Sequence, residues 1–385
     1  MEPRRCLVIG AGILGASVAA RLAAAGHRVT LLDQDEPARA TSRWSFAWIN
    51  SNDKAPRHYH DLNHAGIRAW AELAPDLDGP AWHRPVGHVE LAADPGELDA
   101  RVRRLAGWGY PARLITPQEA ARLEPSLRTP APGTPAAWFP EEGYLLTEPL
   151  IDRLVASAAA RGATVLTGDH GRVTALAEGR VHTAAGATLE ADEIVCCAGR
   201  WTPQLAALAA ADPAALAAAD PVPLVPWDTP GSTAPGLVVR IGPVDRDGPS
   251  RVLHTPQLAL RPHSGGLLHL EAEDTSAAAD LHTPDPGLRA LAAGLLDRAR
   301  RTVRGVDNAT VVDYQVCVRP LPADGQSIVG RLPGADWLYV AVTHSGVTLA
   351  AHLSRLIAAD LTTGTPPAEL APYRPDRFLA AESSA

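Results

Sequence analysis

The chain has 385 residues, 46% of them hydrophobic and 20% charged, which is enough for one large or two ordinary domains with a sizeable core. A net charge of -8 with no basic block excludes a nucleic-acid footprint, and no apolar run is long enough to cross a membrane as a helix. The four cysteines are too few for a disulfide framework, so Cys6, Cys196 and Cys197, in apolar strand-like runs, are expected to be small buried hydrophobes.

The first element is an apolar run from Cys6 that enters Gly10-x-Gly12-x-x-Gly15 and continues as an alanine-rich segment to Gly26. This is the pattern of a strand, a glycine turn and a helix. The first glycine permits the tight turn, the second lets the backbone approach a pyrophosphate, and the third lets helix and strand pack closely. The helix N-terminus, at Ile13 and Leu14, offers free N–H groups and a positive dipole end to phosphates. A second apolar run, Val29 to Leu32, ends in Asp33, placed to accept the ribose hydroxyls of an adenine dinucleotide, with Gln34 next to it. Cleavage of a leader would remove this turn, so the opening Met1 to Arg5 is read as a cytoplasmic start.

Residues 40–50 form a loop-like stretch with Ser42, Arg43, Trp44 and Trp48, suited to a cofactor's phosphates and ring. Lys54 is the only lysine of the chain. Helical periodicity follows through Leu62, Ile67, Trp70 and Leu73. His58, His60 and His64 share this segment, but no glutamate or cysteine completes a metal-ligand spacing and no metal is expected. From Trp82 the texture changes to short segments broken by proline and glycine, with a strand at 86–92. A helix at 150–162, a strand at 163–166 and a meander of short strands then close on a buried strand at 193–198 that Gly199 ends. The alanine-rich stretch 205–220 is read as helix and linker. A β-rich segment runs over 222–273, followed by a helix at 286–304, strands at 310–318 and 337–342, and a last helix at 348–361.

Two C-terminal segments carry a family resemblance. Arg319-Pro320, followed by Asp324-Gly325 and Gly330, resembles the RP…DG…IG segment of the D-amino acid oxidase, glycine oxidase and sarcosine oxidase family of FAD-dependent amine oxidoreductases. His344-Ser345-Gly346-Val347-Thr348 resembles that family's final glycine turn leading into a helix. The resemblance covers nearly the whole chain. It implies an α/β fold: a Rossmann-like FAD-binding domain from 1–84, 145–220 and 318–385, with a discontinuous antiparallel-sheet substrate domain from 85–144 and 221–317.

The glycine turn at Gly346 to Thr348 presents N–H groups that suit the negative charge of a reduced flavin. The cofactor-binding set expected on this reading is Gly10, Gly12, Ile13, Leu14, Gly15, Asp33, Gln34, Ser42, Arg43, Trp48, Val173, Ala198, Gly199, Trp201, Cys317, Gly346, Val347 and Thr348. By resemblance to the glycine oxidases, Arg319 holds a substrate carboxylate. Cys317 stands where the sarcosine oxidases carry a flavin-linked cysteine, which leaves covalent attachment of FAD open. Where those enzymes have an oxygen-activating lysine in a Leu-Lys-Leu segment, this chain has Leu268-His269-Leu270, so His269 is the available cation. Where they have a lysine four residues past the glycine matching Gly346, it has Ala350. Arg319, His269 and His344 are thus the expected catalytic residues.

The activity so implied is oxidation of a C–N bond in a small-molecule amine or amino acid to an imine, with O2 as electron acceptor. The alternatives are a dehydrogenase of the same fold that uses a quinone or protein acceptor, and a flavin-binding subunit without catalysis of its own.

Overall fold

The computed structural model describes residues 2–128, 130–209 and 220–384. Two sheets organise it. The first has six strands in the order Ile328–Leu332, Ala335–Val342, Glu193–Cys196, Arg5–Ile9, Arg28–Leu32 and Thr164–Leu166. All are parallel except the outermost, Ile328–Leu332. Strands buried on both faces carry unbroken apolar runs, which is why Leu7, Val8 and Ile9 lie beside Ile194, Val195 and Cys196. The meander of 173–190 forms a separate three-stranded antiparallel sheet. Residues 210–219 of the alanine-rich stretch lie outside the described residues; the part before them is a helix, Thr202–Ala209.

One face of the parallel sheet is covered by the helices Ile13–Ala24 and Gly346–Thr362, with Arg57–Leu73 and Thr147–Ala159 packed on them. Small residues set the spacing. A side chain at Gly66 would overlap the Thr348 carbonyl, so this glycine lets helix Arg57–Leu73 lie against the start of helix Gly346–Thr362. Trp70 then donates its indole N–H to the Val347 carbonyl at 2.8 Å.

The second sheet has eight strands, in the order Thr310–Val318, Pro235–Gly242, Leu267–Glu271, Leu258–His263, Val252–Thr255, His88–Leu91, Ala136–Phe139 and Arg113–Ile115. Alternation gives it two unlike faces. Leu237, Val239, Leu253, Leu260, Leu268 and Leu270 point one way, into a core shared with the helix Asp285–Thr302. The other face is polar. Arg240 pairs across strands with both His269 and Asp313, His269 also with Arg261, and Ala259 with both Glu271 and His254, and residues so opposed share a face.

That polar face meets the loop after Asp33, which clamps the two sheets together. Thr41 donates to the Val318 carbonyl at 2.6 Å, Arg240 to the Arg43 carbonyl at 3.0 Å, and Arg261 to the Phe46 carbonyl.

Candidate functional site

At the carboxyl ends of the parallel strands lies a cavity of about 350 Å³. Open α/β sheets bind ligands at this edge. Its walls include Gly10, Gly12, Ile13, Leu14, Asp33, Gln34, Ser42, Val173, Ala198, Gly199, Trp201, Gly346 and Val347, together with His344. Gly10 has φ +103°, and a Cβ there would lie 2.5 Å from the Cys197 carbonyl oxygen. A Cβ on Gly12 would enter the turn 3.1 Å from the Ser42 hydroxyl, filling the cradle that a pyrophosphate needs. Gly15 lies beneath: a Cβ there would overlap the Gly10 carbonyl, which is the close helix–strand packing expected of the third glycine.

Two helix N-termini converge here. Helices Ile13–Ala24 and Gly346–Thr362 both begin at the cavity, neither is capped by its own N-cap side chain although the Ser42 hydroxyl accepts from the Ile13 N–H at 3.0 Å, and a Cβ on Gly346 would lie 3.9 Å from Ile13 Cγ2. Their free N–H groups and dipoles favour negative charge between them. Asp33 also braces the turn, since its carboxylate accepts from the Ala11 and Asp35 N–H groups at 2.6 and 3.0 Å. Burial pushes its pKa up, and these backbone donors act against the rise. Arg200 is a wall residue that motif reading passes over; its guanidinium lies 4.2 Å above the Trp201 ring.

The remaining expected cofactor residues stand behind the cavity wall. Arg43 pairs with Glu148 at 3.2 Å, and Thr348 is buried with its hydroxyl toward the Trp48 carbonyl. The Trp48 indole N–H goes to Glu142 at 2.9 Å. Cys317 is buried with Sγ 3.4 Å from the Trp44 carbonyl, and burial pushes its thiol up to about 11.

Of the expected catalytic residues, His344 is at the cavity wall, where burial, with Lys54 and Arg319 nearby, pushes its pKa down to about 3. Arg319 gives its Nε and one terminal nitrogen to the carbonyls of Thr233, Ala234 and Pro235, leaving Nη1 without a partner among the described residues. His269 lies on the polar sheet face between two guanidiniums, with Arg240 Nε 2.7 Å from Nε2 and Arg261 Nη2 2.8 Å from Nδ1. Burial and the charge of Arg261 hold it neutral, far below its ordinary range. A neutral imidazole accepts at one nitrogen only. The ring can therefore accept from only one of Arg240 and Arg261 at a time. Positive charge at this position therefore resides on Arg240 and Arg261, neither of which a motif marks.

Glu271 is also on this face, two residues along the strand from His269. It is half-buried and meets no hydrogen-bond partner among the described residues. Burial pushes its carboxyl up to about 7, against the opposing pull of Arg319 and Arg261.

A second polar centre ties loop 48–52 to the eight-stranded sheet. The fully buried Glu142 accepts from Tyr110 at 2.6 Å, Trp48 at 2.9 Å, the Asn52 side chain at 3.0 Å and His88 at 3.1 Å. The backbone N–H groups of Asn52 and Ser51 add contacts of 3.2 and 3.4 Å. The histidines of helix Arg57–Leu73 have separate partners: His58 meets Gln326, His60 meets Ser51 and His64 meets Glu141.

The glycine cradle, the acid at the end of the second strand and the paired helix N-termini fit an adenine dinucleotide with an anionic ring end. A family model described as FAD dependent oxidoreductase (DAO) matches residues 5–360. The chain belongs to this family. It is 24% identical to the glycine oxidase of Geobacillus kaustophilus, over 97% of this chain and 96% of that one. A 34% identity to the tRNA 5-methylaminomethyl-2-thiouridine biosynthesis bifunctional protein MnmC of Cupriavidus necator covers 41% of this chain and only 24% of that protein. Among solved structures, the iminodiacetate oxidase of Chelativorans sp. BNC1 matches 97% of this chain and 99% of its own, with a TM-score of 0.76 at 22% identity, which shows the shared fold. The protein is an FAD-dependent oxidoreductase, and no helix among its described residues is long and apolar enough to cross a membrane.

Proposed function

We propose that this oxidoreductase oxidises the C–N bond of a small amine or amino acid and passes the electrons to O2. The observation that carries the reading is the sheet face carrying Arg240, Arg261, His269 and Glu271, clamped through loop 41–46 to the cavity that holds the dinucleotide fingerprint. When bound, FAD would supply the redox chemistry, taking up the hydride equivalent that turns the amine into an imine and returning the two electrons to O2 as hydrogen peroxide. The chain's own residues bind, orient and hold charge. Arg319, through the Nη1 that has no partner among the described residues, and Lys54 near His344 offer positive charge to a substrate carboxylate. Arg240 and Arg261 place fixed positive charge where His269 is neutral, and the two helix N-termini add their dipoles on the cavity side.

Oxygen consumption and peroxide release during amine turnover are the test. Turnover seen only with an added dye or quinone would assign the electrons to another acceptor.

The cofactor is proposed to be held without a covalent bond. A thiolate is the attacking form of cysteine, and burial keeps Cys317 as the neutral thiol. Acid precipitation of the holoprotein is therefore expected to leave the yellow colour in the supernatant, with Cys317→Ser still binding FAD. Colour that stays in the pellet, and moves to the supernatant in Cys317→Ser, would show a linkage.

A further inference from the structure

Amine oxidation requires the free amine, whereas an amine in water near neutral pH carries a proton that some group must take. The polar sheet face offers a group for this: Glu271, half-buried on the face it shares with Arg240, Arg261 and His269. Ala259 is the direct cross-strand neighbour of both Glu271 and His254, so these two side chains stand two strands apart with only a methyl group between them. Strand spacing makes that separation about 10 Å. Gly236, next to Cys317 on the adjacent strand, lies under the Arg319 guanidinium, which a Cβ there would meet at 3.7 Å.

The polar groups on this face are neutral imidazoles, arginines, a thiol and carboxyls. His254 donates or accepts at Nδ1 with His88 Nε2 at 2.9 Å, packs 4.3 Å from the Trp48 ring, and burial holds it neutral. His263 stacks on His269 at 4.3 Å, and burial with Arg261 pushes it down to about 3. Positive charge comes from Arg319, Arg261 and Arg240. The Cys317 thiol lies within the field of Glu271 and is held neutral by burial. Of the carboxyls here, Glu148 and Asp313 pair with Arg240 at 3.6 Å, whereas the oxygens of Glu271 have no partner among the described residues.

We propose that Glu271 is the proton acceptor for the substrate amine: the substrate's N–H⁺ proton moves to the Glu271 carboxylate, leaving a neutral amine and a carboxylic acid. One proton is transferred and no electron moves in this step. The flanking cations favour the ionised carboxylate that accepts the proton, and burial favours the acid that results, so both states are accessible near neutral pH. A catalytic base is most effective with a pKa close to the working pH, and burial sets Glu271 at about 7. The role rests on the amine-oxidising reading above.

The test uses the FAD-loaded full chain. Anaerobic flavin reduction by a reactive amine is followed across pH, and the second-order rate constant is expected to rise through about 7 and then level. Glu271→Gln is expected to lose that limb, rise only through the amine's own pKa, and react about 10²-fold or more slowly near neutral pH. Glu271→Asp keeps a titrating limb at a shifted position. Independently of activity, an isotope-edited infrared titration of the holoprotein is expected to show a carboxyl band changing near pH 7 that Glu271→Gln removes. A limb unchanged in Glu271→Gln, or a Glu271 band that titrates in the ordinary carboxylate range, overturns the assignment while leaving the oxidase reading intact. A wild-type flavin that no amine reduces overturns that reading, and the proton-acceptor role with it.

Discussion

Gly12→Val is expected to yield a folded but colourless protein. A Cβ at Gly12 enters the turn 3.1 Å from the Ser42 hydroxyl, so two further methyls occupy the space in which a pyrophosphate would meet the N–H groups of the first helical turn. Each lost hydrogen bond to a charged oxygen is worth about 1.5–3 kcal/mol. Two of them weaken FAD binding by at least about 100-fold. Gly12 is at a turn and not in the core, so the apoprotein should retain its circular dichroism spectrum. The check is FAD stoichiometry after gel filtration and the Kd for added FAD. Stoichiometric FAD in Gly12→Val would mean that the glycine turn is not the pyrophosphate site.

Glu142→Leu is expected to be the most destabilising single change among the polar residues described. Leucine fills most of the volume but leaves the Tyr110 hydroxyl, the Trp48 indole N–H, the Asn52 amide and His88 without their shared acceptor in a fully buried site. Stranding buried polar groups in this way costs on the order of 3–5 kcal/mol in total. Loop 48–52 should loosen as well, because Glu142 also holds the backbone N–H groups of Ser51 and Asn52. Urea denaturation of wild type, Glu142→Gln and Glu142→Leu at equal FAD loading measures the effect. Glutamine, which keeps one carbonyl acceptor, should fall between the other two. A midpoint for Glu142→Leu equal to that of wild type would show that these donors find other partners.

The dinucleotide half of the site was legible because its signals are local. Gly10, Gly12 and Gly15 act through the backbone and Asp33 through its carboxylate, all within one strand–turn–helix–strand unit whose spacing is a local pattern. The start of helix Gly346–Thr362 was legible for the same reason, from its glycine turn. The helix Pro95–Gly107 was passed over, although Asp94 caps it with two hydrogen bonds and Leu98, Val102 and Leu105 bury one face. There, frequent proline and glycine on either side masked a short amphipathic period.

The polar sheet face proposed to meet the substrate was not legible, because it is assembled by pairing between distant strands. Arg240, Arg261, His269 and Glu271 share a face only through the register of three neighbouring strands, and a slip of one residue would send each to the other side. The leucines that flank His269 say nothing of its charge, which depends on two arginines brought in by adjacent strands. Glu142 likewise collects donors from 32 to 94 residues away in sequence, and no motif anticipates such a centre.

Amine oxidation at the joint between the two sheets is the activity proposed for this family member. Its most direct test is to mix the oxygen-free holoprotein with a panel of primary and secondary amines and amino acids and to record the flavin absorbance. At least one compound is expected to bleach the oxidised flavin completely, with release of the matching imine or its carbonyl hydrolysis product and return of the colour on admitting air. A flavin that dithionite bleaches but no amine or amino acid reduces would contradict the account.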